Sequence, residues 1–180
     1  LFPRISSLLD AHGCPVAAID CFATAAGPGS FTGVRIGLAA MKGLAEASAS
    51  PAVAVSNLQA LAYFGQGPLR AVVADARRGQ VYAALYDDRL RLLGGEVVCA
   101  FQDWLASLPQ DDLEFIAVDF SPFQPVLAGT RFSALPVRQA PRALAAAIGV
   151  IAYTRWRNGE ASDPAAIDAN YVRRSDAELL

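Results

Sequence analysis

The chain has 180 residues, of which 54% are hydrophobic, and this much apolar material can form a buried core, which excludes an intrinsically disordered protein. Its net charge of −2 and pI of about 5.3 exclude a domain that binds nucleic acid by itself, since such domains usually have a pI above roughly 9. The longest apolar run, at 143–153, is shorter than the roughly 20 residues of a membrane helix. The three cysteines form no CxxC motif and encode neither a disulfide framework nor a zinc site. We expect a cytoplasmic protein without membrane contact.

The first third of the chain alternates helices and strands. Apolar residues at helical spacing predict the first helix, and short apolar runs predict strands. The predicted elements are a helix over 1–12, a strand over 18–26, a helix over 33–48, a strand over 52–56 and a helix from Ser56 or Asn57 to about Phe64. This order predicts a layered α/β lobe over residues 1–66.

The second part of the chain opens differently, after a linker at 65–68 that contains Gly and Pro. Two apolar runs flank Arg77, Arg78 and Gly79, which is the pattern of a β-hairpin. The later predicted elements are a third antiparallel strand within 90–99, a helix around 101–108, a strand over 114–119, a loop or short helical turn over 121–130, the longest helix over 141–158 and an extended piece over 170–174. We therefore predict a second lobe over 67–180.

The loop GPGSFTG at 27–33 raises the question of a phosphate site. A Walker loop needs a lysine after its last glycine, but Val34 follows Gly33. The dinucleotide fingerprint needs a third glycine where Thr32 stands. Neither pattern fits, so we expect a structural turn between a strand and a helix. Anion binding by the amides at the start of that helix is the weaker alternative.

The helix after this loop contains Gly37 and Gly43. Glycine inside a helix costs roughly 0.8–1.0 kcal/mol per residue, so tight packing is expected to compensate. One face of the helix is expected to pack on the sheet. The other face, with Arg35, Lys42 and Glu46, is expected to meet a partner.

Three segments together resemble one protein family. They are GPGSFTGVRIGLAAMKGLA at 27–45, VADARRGQVYAALY at 73–86 and NYVRRSDAE at 170–178, and they resemble the TsaB (YeaZ) family of bacterial threonylcarbamoyladenosine biosynthesis. The resemblance spans nearly the whole chain and implies an α/β, actin-like (ASKHA, ribonuclease H-like) fold of two lobes. Members of that family begin with strands that carry an Asp-Thr/Ser loop. This chain begins without Met and inside its first helix, so we expect the N-terminal strands of the first lobe to be absent from it.

The resemblance implies a subunit that performs no chemistry itself and needs no cofactor or metal. Such a subunit pairs with the catalytic protein TsaD and recruits TsaE, so that a threonylcarbamoyl group reaches N6 of the adenosine adjacent to the tRNA anticodon. It contacts tRNA only through the complex and forms homodimers in isolation. The helices at 1–12 and 33–48 would face the partner. The interface residues that the resemblance implies are Ile5, Leu8, Leu9, His12, Gly29, Ser30, Phe31, Thr32, Gly33, Arg35, Gly37, Met41 and Lys42.

Two positions argue against catalysis by the chain alone. TsaD carries a His-x-x-x-His metal pair on a helix where this chain has Asn57 and Leu61. The single histidine of the sequence, His12, has no partner for such a site. Asp75 and Arg77 are more readily interpreted as a pair that stabilises a turn than as ligand-binding groups. We therefore predict no catalytic, cofactor-binding or metal-binding residues.

Two alternatives to an assembly subunit stay open. The chain could be an actin-like enzyme acting alone, either a glycopeptidase or a small-molecule kinase. The single histidine argues against a metallopeptidase, and the missing Asp loop argues against a kinase. The chain could also be a homodimeric module with no role in tRNA modification.

Overall fold

The computed structural model describes residues 1–109 and 112–172, and the strands within these ranges form two sheets. The helices are α1 (Phe2–Ala11), α2 (Phe31–Ala47), α3 (Asn57–Ala62), α4 (Phe101–Ser107), α5 (Gln124–Ala128) and α6 (Ala145–Arg157). The strands are β1 (Phe22–Gly27), β2 (Ala52–Ser56), β3 (Leu69–Arg77), β4 (Gln80–Asp87), β5 (Val97–Ala100), β6 (Leu113–Ala117) and β7 (Val137–Gln139). Among the described helices, none is long and apolar enough to cross a bilayer.

The first sheet is the parallel pair β1–β2, and helices cover both of its faces. Side chains along a strand alternate between the two faces of a sheet. Phe22 and Ala52 pack with Leu38 of α2, whereas Val53 packs with Ile148 of α6. Because α2 and α6 lie on opposite faces of the sheet, each helix also has a side directed away from it.

The second sheet has the strand order β5-β4-β3-β6-β7. Strands β3, β6 and β7 are parallel to one another, whereas β4 is antiparallel to both of its neighbours, β3 and β5. Phe115 lies on one face, with its ring centre 5.6 Å from that of Phe120 and 5.9 Å from that of Phe132. Ile116, the next residue, packs on the other face with Leu58 of α3. Helix α3 also contributes to the core beneath β2, so it joins the cores of the two sheets.

The predicted α/β class is confirmed by this architecture. The helix predicted over 141–158 starts later than expected, and the prediction that it is the longest helix is wrong. Helix α6 begins at Ala145 and has 13 residues, fewer than the 17 of α2. The chain is still bound to the second sheet at Ala140, whose N–H donates to the carbonyl of Ala117 (2.8 Å). Residues 141–144 are therefore needed to leave the sheet before a helix can begin.

Other predicted elements differ in detail. Strand β5 lies later than the start of the predicted range 90–99, because Asp87 accepts hydrogen bonds from the N–H groups of Arg89 (3.0 Å) and Arg91 (2.8 Å) and holds a turn there. Strand β7 has three residues, too few for an alternating pattern to reveal. The extended piece predicted over 170–174 contains no strand up to residue 172, and its last two residues lie outside the described ranges.

The division of the chain into two lobes after residue 66 stays a prediction. The linker at the proposed boundary is held by Glu114, a buried carboxylate of β6. Glu114 accepts hydrogen bonds from the N–H groups of Gln66 and Gly67 (2.6 Å for Gly67) and from Nε of Arg138 (3.1 Å). Burial by itself would raise the pKa of Glu114, but these donors outweigh burial and hold the pKa below its ordinary value of 4.5.

Replacement of Glu114 by glutamine should lower the free energy of unfolding at neutral pH by about 1–3 kcal/mol, because a buried charged acceptor is lost. Since the pKa of Glu114 is lower in the folded chain, its ionisation stabilises the fold above the unfolded pKa, and this stabilisation disappears as the pH falls through the folded pKa. Urea unfolding of Glu114→Gln and the unmodified chain should therefore show a difference that narrows from neutral pH to about pH 3. A difference of equal size at both pH values, or the same narrowing in the exposed control Asp88→Asn, would contradict this role.

Candidate functional site

The loop at 27–33 ends β1 and begins α2, and local bonds fix its shape. Gly27 has a φ of +94°, a conformation that favours glycine, and an added Cβ would lie 3.4 Å from the carbonyl oxygen of Asn170. Ser30 caps α2, since its Oγ accepts the N–H of Gly33 (3.3 Å). The loop is thus a tight structural turn that sets the start and direction of α2.

Helix α1 presents apolar side chains to solvent and buries none of its residues. Phe2 and Leu8 are 57% and 60% exposed. Ile5 and Leu9 are half-buried and line, with Leu44 of α2, a groove of about 280 Å³. Burial of one such side chain contributes about 1.5–3 kcal/mol, so this helix gains stability wherever a second surface covers it.

Helix α2 turns some of the predicted interface residues toward the body of the protein. An added Cβ on Gly37 would lie 3.6 Å from the side chain of Thr24 on β1. Met41 packs against the core between α2 and β1–β2. Nζ of Lys42 donates to the carbonyls of Ala165 (3.2 Å) and Ile167 (2.7 Å). These side chains therefore support α2 from its inner side.

The outward side of α2 is lined by Ile36, Ala39 and Gly43, all exposed. Ile36 is 55% exposed, and no atom lies within 4 Å of a Cβ placed on Gly43. The sequence prediction omits Ile36, although its position four residues after Thr32 and seven before Gly43 places it on this side of a helix. We call the exposed apolar residues of the two helices the α1–α2 surface, which comprises Phe2, Leu8, Ile36, Ala39 and Gly43.

Arg35 contacts two aromatic rings at the start of α2. Its guanidinium carbon is 3.8 Å from the ring centre of Phe31 and 5.7 Å from that of Tyr171, and its Nε donates to the Tyr171 hydroxyl (2.8 Å). Phe31 and Tyr171 are 50% and 48% exposed. The remaining predicted residues of the loop are exposed beside them: Gly29, Ser30, Thr32 and Gly33.

A polar cleft of about 640 Å³ lies behind the loop, and the carboxylate of Glu96 is its hub. Glu96 Oε1 accepts hydrogen bonds from Ser56 Oγ and from the Tyr86 hydroxyl (2.7 Å), and Oε2 accepts one from Asn170 Nδ2 (2.5 Å). These bonds join the end of β2, strand β4 and the chain after α6. Sequence reasoning misses Glu96 because it lies in an irregular segment after two glycines, where no periodicity marks it.

The Tyr86 hydroxyl acts as a hydrogen-bond donor in this cleft. Burial, followed by the hydrogen bond and charge of Glu96, raises the pKa of Tyr86, and the opposing effects of Ser56 and Arg155 do not cancel them. Tyr86 therefore stays protonated at physiological pH. Throughout the described residues, no buried side-chain nitrogen or oxygen lacks a hydrogen-bond partner. The buried polar groups of the cleft therefore form a structural network in which each has a hydrogen-bond partner.

The residues considered for catalysis are placed apart from one another. Asn57 donates to the carbonyl of Pro28 (3.0 Å), and Leu61 is 3% exposed. His12 is exposed at the end of α1. Asp75 and Arg77 form a pair at 3.5 Å on the hairpin surface. Within 1–109 and 112–172, no group of three or more His, Cys, Asp or Glu side chains could hold a metal ion.

Known proteins share both sequence and fold with this chain. The family model described as TsaD, tRNA N6-adenosine threonylcarbamoyltransferase, matches residues 1–159. The tRNA threonylcarbamoyladenosine biosynthesis protein TsaB of Bacillus subtilis is 34% identical over 98% of this chain and 79% of its own length. The TsaB protein of Escherichia coli is 39% identical over 48% of this chain and 39% of its own length. A crystal structure from Pseudomonas aeruginosa, of a protein with similarity to peptidase YEAZ, has a TM-score of 0.80 and 30% identity over 96% of this chain and 82% of that chain.

Replacement of Glu96 by alanine should lower the free energy of unfolding by about 1–3 kcal/mol, because the hydroxyls of Ser56 and Tyr86 lose their acceptor. Tyr86→Phe, which leaves the other bonds of Glu96 in place, should cost about 0.5–1.5 kcal/mol. The double variant should lose less than the sum of the two single losses, since the hydroxyl left unpaired by Glu96→Ala is absent. Urea unfolding of the three variants measures this coupling, and strictly additive losses would contradict the network.

Proposed function

This chain belongs to the TsaB (YeaZ) family, and on that premise we propose that it is a non-catalytic subunit that binds and activates TsaD. Family membership supports a role in tRNA threonylcarbamoyladenosine biosynthesis. In the proposed complex, which also contains TsaE, TsaD carries out threonylcarbamoyl transfer to N6 of the adenosine adjacent to the tRNA anticodon. The chain acts in the cytoplasm and contacts tRNA only through the complex, in keeping with its net charge of −2.

The observation that carries this proposal is the α1–α2 surface. Phe2, Leu8 and Ile36 are each more than half exposed, whereas the centre of a protein interface buries apolar side chains of this kind. At Ala39 and Gly43 no bulky side chain projects from the outward side of α2, so the backbone of a partner helix can approach closely. Two helices with such faces can pack against two helices of a partner.

The match of the TsaD family model to residues 1–159 supports TsaD as that partner. A protein that shares these elements carries its own counterparts of α1 and α2. Two related chains can then meet through equivalent surfaces, as the two copies of a symmetric dimer do. For the same reason we propose that the isolated chain forms a homodimer through this surface and that TsaD displaces the second copy.

The predicted interface residues take two roles in this proposal. Gly37, Met41 and Lys42 act from the inner side of α2, where they hold the helix on β1 and against the chain after α6. The residues proposed to contact the partner are Ile5, Leu8, Leu9, His12, Gly29, Ser30, Phe31, Thr32, Gly33 and Arg35, with Ile36 added to them.

The proposed interface can be tested with two matched glycine variants. Gly43 on α2 and Gly149 on α6 both lie within helices, and neither has an atom within 4 Å of an added Cβ. Gly43→Trp should weaken TsaD binding at least about tenfold, or 1.4 kcal/mol, because the indole prevents close approach. Gly149→Trp, on the other side of β1–β2, should bind TsaD like the unmodified chain. Isothermal titration calorimetry measures the affinities, and circular dichroism checks that both variants fold.

Reconstitution separates an accessory role from catalysis. With tRNA, ATP and the donor threonylcarbamoyl-AMP present, the chain alone should neither form threonylcarbamoyladenosine nor hydrolyse ATP, and both activities should appear when TsaD and TsaE are added. Gly43→Trp should fail in this assay, and Gly149→Trp should succeed. Formation of the modified nucleoside by the isolated chain would overturn the non-catalytic assignment, and equal TsaD affinity of the two variants would overturn the proposed surface.

The competing function is a small-molecule kinase that acts alone, and the cleft beside Glu96 is the observation that favours it. Ser56, Tyr86 and Asn170 in this cleft already donate hydrogen bonds to Glu96. A nucleotide could use these groups only after those hydrogen bonds were broken. We expect calorimetric titration with ATP and Mg²⁺ to give no binding heat in the absence of TsaD. A tight site in the isolated chain would favour the kinase.

A further inference from the structure

The chain after α6 returns to the first sheet and crosses the end of β1. We call residues 168–172 the strap. Within it, the backbone N–H of Asn170 donates to the carbonyl of Ala26 (2.8 Å), and the Asn170 side chain donates to Glu96 (2.5 Å). Tyr171, the next residue, reaches α2 and accepts the hydrogen bond from Arg35 (2.8 Å). The strap therefore connects the cleft on one side with the start of α2 on the other.

The strap lies between two cavities. One of about 460 Å³ is bounded by the loop at 27–33 and the tip of the β3–β4 hairpin, and the other is the cleft of about 640 Å³ beside Glu96. Ala26 and three strap residues, Asn170 to Val172, line both cavities. Ala169 packs against the core of α2 and β1–β2, whereas Asn170 and Tyr171, which border both cavities, are held by the polar bonds described above.

Those bonds determine where the Tyr171 ring lies. The ring centre of Tyr171 is 6.0 Å from that of Phe31, and the Arg35 guanidinium contacts both rings. Phe31 and Arg35, which the Tyr171 ring contacts, are among the residues proposed to contact the partner. The Tyr171 ring therefore extends that proposed contact region, although it comes from a part of the chain more than 100 residues away in sequence. Tyr and Arg are the residue types enriched among the side chains that dominate binding energy at interfaces.

We propose that the strap completes the surface that binds TsaD: Tyr171 contacts TsaD directly, and Asn170, held by Glu96, is a positioning residue for it. This inference rests on the proposed function for the identity of the partner. Binding of TsaD then favours the strap position in which Asn170 bonds Glu96, and this position raises the affinity for TsaD by the same factor, because the two equilibria are linked.

The contact is tested with Tyr171→Ala and a matched control. Tyr153 on α6 is 58% exposed, and its ring centre also lies 6.0 Å from another ring, that of Trp156. Tyr171→Ala should weaken TsaD binding about tenfold or more, whereas Tyr153→Ala should leave it unchanged. Tyr171→Phe, which keeps the ring and loses the bond to Arg35, should weaken binding less than Tyr171→Ala.

The positioning role is tested with Asn170→Ala, which removes one side-chain bond to Glu96 and leaves the TsaD-facing side chains intact. Its control is Asn158→Ala, since the Asn158 amide is exposed and donates to an exposed glutamate, Glu160 (3.3 Å). Hydrogen–deuterium exchange of the full chain should become faster across 168–172 in Asn170→Ala alone. The affinity of Asn170→Ala for TsaD should fall about three- to tenfold.

The outcomes separate this inference from the proposed function. If Gly43→Trp loses TsaD binding and Tyr171→Ala binds like Tyr153→Ala, the strap inference is overturned and the proposed function stands. If Asn170→Ala frees the strap without any change in affinity, the positioning role is overturned. If Gly43→Trp and Tyr171→Ala both bind TsaD like the unmodified chain, the proposed surface fails, and the inference fails with it.

Discussion

The need to cover both faces of the parallel β1–β2 pair constrains the rest of the structure. Helix α2 must cover one face and α6 the other, because the strands are apolar on both sides. Once α2 packs on β1 through Leu38 and Ala45, its opposite side faces solvent. The loop at 27–33 leads into α2, and the rings of Phe31 and Tyr171 and the strap contact its start through Arg35. Helix α2 therefore packs against the core with one side and carries residues of the candidate site on the other.

The two glycines of α2 illustrate this division. Each costs roughly 0.8–1.0 kcal/mol relative to alanine. At Gly37 the small size serves the fold, because β1 lies in van der Waals reach of any added Cβ. At Gly43 nothing in the described chain lies within 4 Å, so no contact there compensates the cost. Together with the exposed Ile36 and Ala39 on the same side, this open position is the physical reason to propose this side of α2 as an interface.

Most elements of the fold were predictable from local patterns, and the site only in part. Apolar spacing predicted α1 and α2, and the Arg77–Gly79 turn predicted the hairpin. The inward turn of Lys42 was not predictable, because its acceptors at 165 and 167 are more than 120 residues away in sequence. Glu96 was missed for the same reason: its three donors come from β2, β4 and the strap, and only the folded chain brings them together.

The energetics of the strap explain how so small a segment can influence binding. A net hydrogen bond contributes about 0.5–1.5 kcal/mol, and one to a charged group about 1.5–3 kcal/mol. Besides the packing of Ala169 against the core, the strap is held by one bond to Ala26, one to Glu96 and one from Arg35, and these bonds together contribute roughly a few kcal/mol by the same measure. A partner that contacts Tyr171 acts on an equilibrium of that size, whereas no surface contact of such strength could shift the buried sheet cores. Through Asn170 and Tyr171, the strap thus links the start of α2 with the cleft around Glu96.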